Sequence, residues 1–154
     1  MNPLDKIVYK GDKPVIVCLG NEFRNDDGIG PYIAKKISNH RIKVINAEQS
    51  FENYVFDIVE YKPTDVIIVD GAFFGGEVGE IRILDERSLC EVRMLSTHSL
   101  PITLLIDMIR NDLPCVNFVI VGIQILDTGF GQSIDSRVKE SAEIVITYFN
   151  NLVI

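Results

Sequence analysis

Histidine is scarce in this chain, with only His40 and His98 among 154 residues. Cysteine is also sparse: Cys18, Cys90 and Cys115 are an odd number at wide spacings. That pattern argues against a disulfide framework and against a clustered-thiolate zinc site. Cys18 and Cys115 fall in or beside apolar runs, where a free thiol behaves as a small hydrophobe. Basic charge is in deficit, 15 Lys and Arg against 22 Asp and Glu, for a net charge of −7. Nucleic acid and anionic membranes both call for a basic surface, so neither is an expected partner. No apolar run approaches the roughly 20 residues needed to cross a bilayer. Met1 to Lys6 has no apolar core of a signal peptide. The expectation is a protein without membrane insertion in a reducing, cytoplasmic setting. Repeats, low-complexity tracts and long linkers are missing too, so residues 1–154 read as a single domain.

What is present is an alternation of strand-length apolar runs with helical patterns, the mark of a mainly parallel α/β sheet. Val15 to Gly20 is a near-continuous apolar run, as expected of a strand covered on both faces. Gly28 to Ser38 follows as a helix, with Ile29, Ile33 and Ile37 at helical spacing. Lys43 to Glu48 reads as a strand, and Glu52 to Tyr61 as a helix facing inward through Val55, Phe56, Ile58 and Val59. Asp65 to Asp70 is a third strand. The glycine-rich stretch from Gly71 to Gly79 predicts a loop, and Glu80 to Leu84 an added antiparallel edge strand. Pro101 to Arg110 is a helix with Pro101 in its first turn. Asn117 to Ile125 is a buried strand, and Ser133 to Leu152 a long amphipathic helix. The predicted fold is a three-layer α/β sandwich. Its sheet is mostly parallel and twisted, with an antiparallel edge strand and helices on both faces.

Three polar residues stand at the ends of apolar segments: Asp27, Asp70 and His98. In an open parallel sheet the carboxyl ends of strands gather along one edge, where ligands bind. Asp27 lies in Gly20-Asn21-Glu22-Phe23-Arg24-Asn25-Asp26-Asp27-Gly28-Ile29-Gly30. The loop lacks the glycine spacing of a dinucleotide turn, and two carboxylates at a helix N-terminus repel phosphate and favour a cation. Capping needs one aspartate, so Asp27 has two readings, cap or ligand. Asp70 ends Val66-Ile67-Ile68-Val69 and is either a turn aspartate or a ligand at a strand end. His98, in Ser96-Thr97-His98-Ser99-Leu100-Pro101, is surrounded by better cappers. His40 follows a helix C-terminus, where an imidazolium complements the dipole. Asp27, Asp70 and His98 together would suit one divalent metal ion.

The first of these motifs, Val69-Asp70 and the Ser96–Pro101 segment with Leu105-Ile106-Asp107 behind it resemble the NiFe-hydrogenase maturation endopeptidases. Gly122-Ile123-Gln124, Gly129-Phe130 and the helix from Val138 continue the likeness along nearly the whole chain. It is most like the branch serving the hydrogenase of the formate hydrogenlyase complex. Ile125 departs from the proline common after Gly-Ile-Gln in that family.

The resemblance implies an endopeptidase that trims the C-terminal extension of a NiFe-hydrogenase large-subunit precursor after nickel insertion. The nickel then belongs to the substrate, and Asp27, Asp70 and His98 are its contacts and the catalytic residues. Asp26 is left as a cap or a supporting carboxylate. Mixed oxygen and nitrogen donors with open positions suit a first-row ion that must stay with its owner. The carboxylates are expected to be exposed and to hold metal weakly in the free protein. The alternative is a non-catalytic nickel chaperone or a scaffold that binds the precursor uncut.

Overall fold

The computed structural model describes residues 1–91, 93–94 and 100–154. Its centre is a run of Val and Ile strands that pack apolar side chains on both sides. These are β1 (Pro14–Leu19), β2 (Lys43–Glu48), β3 (Asp65–Phe73) and β6 (Asn117–Gln124), all parallel. β4 (Ile81–Leu84) closes one edge antiparallel to β6, and the order is β2-β1-β3-β6-β4. A two-residue strand, β5 (Arg93–Met94), pairs antiparallel with Ala72 and Phe73 of β3.

Alternation along each strand divides the core in two. Val15, Val17, Val66, Ile68 and Ile120 meet α2 (Val55–Tyr61) and α3 (Ile102–Asp112) on one face. Ile16, Cys18, Ile67, Val69 and Val121 meet α1 (Ile29–Lys36) and α4 (Ser136–Asn150) on the other. The helices are amphipathic in the expected registers. Ile102, Leu105, Ile106 and Ile109 are buried on α3, and Val138, Ala142, Val145, Ile146 and Phe149 on α4. This is the three-layer sandwich with the antiparallel edge strand that the pattern predicts.

Some details differ. Phe56 is 76% exposed, because α2 buries the stripe through Val55 and Ile58, and a neighbour at i+1 cannot share that face. β3 runs three residues past Asp70, since Gly71 and Ala72 keep pairing with Ile123 and Gln124. Pro101 sits at the cap of α3 rather than inside its first turn. Lys36 ends α1, so exposed His40 lies four residues beyond it, too far to serve as its last turn.

The topology marks one edge of the sheet as a place for a ligand. β1 leads through α1 to β2 on one side, while β3 lies on its other side, and α1 and α2 cover opposite faces. The connections therefore diverge between the carboxyl ends of β1 and β3. Ligands of open α/β sheets bind at such a switch point.

Candidate active site

Gly20 follows β1 at φ +146°, and its N–H donates to the Glu48 carbonyl at the end of β2. A Cβ there would lie 2.0 Å from the Asp27 carbonyl oxygen, and one on Gly30 would lie 1.9 Å from the Leu19 carbonyl oxygen. The two glycines let the turn fold back on the strand it has just left. A 3-10 turn at Asn25–Gly28 results, with Asp27 inside it at 2% exposure. The Asn21 N–H donates both to the Asp27 carbonyl at 3.0 Å and to its carboxylate at 3.3 Å. Gly28 occupies the N-cap of α1, with no side-chain cap, so neither aspartate caps that helix.

Asp70 stands on β3 opposite Gly122, one residue beyond the last β1–β3 pair, Cys18 with Val69. The strand thus carries it into the opening that β1 leaves. It is fully buried. Burial pushes the Cys18 thiol well above its ordinary range, and the nearby Asp70 charge adds to that rise. The turn carrying Asp27 packs against β3, the strand that carries Asp70. Both are buried rather than exposed, which corrects the expectation of open carboxylates. His98 lies outside the described residues. Among the described residues no three His, Cys, Asp or Glu side chains come together as a metal site.

Neither periodicity nor capping logic points to the support of this turn. Asp26 is 1% exposed, and its carboxylate accepts from the N–H groups of Leu126, Asp127 and Asp135 at 2.9, 3.0 and 2.7 Å. Asn25, left-handed at φ +48°, donates to the Asp127 carboxylate at 3.0 Å and accepts from the Ser133 N–H at 3.1 Å. Arg24 donates to the Thr128 carbonyl at 2.9 Å and lies over the Phe130 ring. The turn after β1 and the segment joining β6 to α4 are one hydrogen-bonded unit. The signal in the sequence was the second aspartate, one more than a cap requires.

The surface around this unit is apolar in places. Phe23, Leu126 and Phe130 are 60, 57 and 88% exposed. A cleft of about 250 Å³ opens beside the turn, lined by Asn21, Glu22, Phe23, Glu48 and Gln49 among others.

Comparison with known proteins identifies this arrangement. In solved structures, it matches the endopeptidase HycI from Escherichia coli with a TM-score of 0.79 at 33% identity, over 90% of this chain and 89% of that one. The hydrogenase maturation protease HycI of Thermococcus kodakarensis matches with a TM-score of 0.78 at 28% identity, over 96% and 99%. The fold is therefore that of a protease of the three-layer α/β type. The hydrogenase 3 maturation protease of Escherichia coli K12 is 36% identical over 134 residues, 85% of each chain. The family model described as hydrogenase maturation protease matches residues 29–149. The chain belongs to the hydrogenase maturation protease family.

Proposed function

We propose that the protein removes the C-terminal extension of a NiFe-hydrogenase large-subunit precursor once nickel has been inserted, and that the precursor's nickel is what it recognises. Asp27, Asp70 and His98 are the residues that contact this metal and carry the reaction. The observation behind the reading is that Asp27 and Asp70 are both buried, on a turn and a strand that pack together where β1 and β3 part. A buried carboxylate is costly unless its surroundings stabilise the charge. Two carboxylates on that edge suit a cation delivered from outside, and their oxygens together with the His98 imidazole make the mixed donor set that suits a first-row divalent ion. A carboxylate there can also accept a proton from the attacking water. Phe23, Leu126 and Phe130 give the same edge exposed apolar surface suited to a protein substrate.

Free thiols at Cys18 and Cys115 fit a cytoplasmic location. No helix among the described residues is long and apolar enough to cross a membrane.

The test is to incubate the protein with nickel-loaded and nickel-free precursor and to follow precursor mass. Loss of the C-terminal segment from the loaded form alone supports the reading. Equal cleavage of both forms removes the metal-sensing part. Binding without any mass change would indicate a chaperone or scaffold instead.

A further inference from the structure

Asp26 has a role that helix capping does not describe. Its three donors come from residues 126, 127 and 135, all following β6, and none from α1. Its own N–H donates to the Asp127 carbonyl at 2.9 Å, so backbone and side chain grip the same segment. Leu126 and Asp127 lie just beyond the end of β6, whose register with β3 places Gly122 opposite Asp70. On the other side, Asp27 is the next residue in the chain, its Cα fixed about 3.8 Å from that of Asp26. A short, stiff path therefore runs from Asp27 through Asp26 to the exit of β6 and across one strand pair to Asp70.

We infer that Asp26 is a positioning residue: its carboxylate clamps the Asp27 turn to the exit of β6 and so sets Asp27 relative to Asp70. This rests on the reading of Asp27 and Asp70 as the reactive pair. The outer contacts of Arg24 and Asn25 hold the rim of the same unit, whereas Asp26 grips at the strand exit. Chemistry at paired groups is sensitive to small displacements, and a shift of about 1 Å can cost about a hundredfold in rate.

The clamp predicts a specific signature for Asp26→Asn. The amide would turn an N–H donor toward at least one of the N–H groups that the carboxylate now accepts. The comparison variant is Asp65→Asn. Asp65 is an equally buried carboxylate at the opposite edge, accepting from the Lys10 and Gly11 N–H groups, the Thr64 hydroxyl and the Asn117 amide. Both variants are assayed where thermal unfolding shows them fully native. With nickel-loaded precursor, Asp26→Asn is expected to lower kcat by about tenfold or more while KM stays within about twofold. Asp65→Asn keeps the native kcat. In hydrogen exchange, the Asn21 and Asp27 amides speed up about tenfold in Asp26→Asn and not in Asp65→Asn.

If Asp26→Asn does not fold, Asp135→Pro takes its place. Residue 135 has φ −53°, which proline adopts, and the change deletes one donor to Asp26. Asp135→Ala keeps that N–H and controls for the lost cap. Equal kcat in the clamp variant and its control overturns the inference, as does unchanged exchange at Asn21 and Asp27. If the native protein leaves loaded precursor uncut, the endopeptidase reading falls, and the exchange data alone decide the clamp.

Discussion

Arg110 grips Glu86 through two nitrogens, at 2.6 and 2.7 Å, and ties α3 to the 3-10 turn at Glu86–Glu91. The pair brackets the stretch that contains His98, one partner before it and one after it. Arg110 also lies over the Phe118 ring and donates to the Val116 carbonyl at 3.3 Å, so its guanidinium is held from three sides.

Replacing Glu86 by Gln is expected to cost about 1 kcal/mol, less than a buried pair because both side chains are about a third exposed. Urea denaturation measures this. The loss should shrink in 1 M salt, where the Debye length falls to about 3 Å.

Asp27→Asn and Asp70→Asn are each expected to reduce processing of nickel-loaded precursor by at least about a hundredfold. Both keep side-chain size, so circular dichroism should show an unchanged fold. A mass spectrum of the precursor after incubation checks the loss. Retained cleavage in either variant would remove that carboxylate from the reaction.

Gly30→Ala should destabilise the protein by about 3 kcal/mol or more, because the new methyl group meets the Leu19 backbone rather than a movable side chain. Gly75→Ala is the contrast. Gly75 has φ +77° with open space around it, so only backbone strain of about 1 kcal/mol applies. Thermal unfolding of the two variants should rank them in that order.

Asp135 caps α4, and its hydrogen bonds with the Arg137 side chain and backbone hold its carboxyl down to about 2. Its unfolded value is about 3.9. A depressed carboxylate contributes stability above its unfolded value and loses it as pH falls through the folded one. This contribution is therefore complete above about pH 5 and fades between about pH 4 and pH 2. Melting temperatures measured across that window should fall less steeply for Asp135→Asn than for the native chain.

How much is legible in the sequence depends on the range of the interaction. Val15–Leu19, Lys43–Glu48 and the inward faces of α3 and α4 follow from side-chain period, a local property, and the structure agrees with them. Phe56 sits among apolar neighbours, which in sequence points it inward, but a seven-residue helix has no room for so wide a stripe. Glycine usually breaks strands, so the sequence starts the glycine-rich loop at Gly71. Pairing with Ile123 and Gln124 overrides that tendency.

The sequence by itself determined the layers, the strand that carries Asp70, the turn that carries Asp27 and the resemblance that selects them over Asp26. It did so because period, glycine placement and motif spacing are written in neighbouring residues. Only the tertiary structure decided that Asp27 and Asp70 are buried at the parting of β1 and β3, and that Asp26 reaches donors 100 to 109 residues away. Those facts depend on strand order and on loops meeting across the sheet edge. No local pattern encodes which distant N–H a buried carboxylate will find.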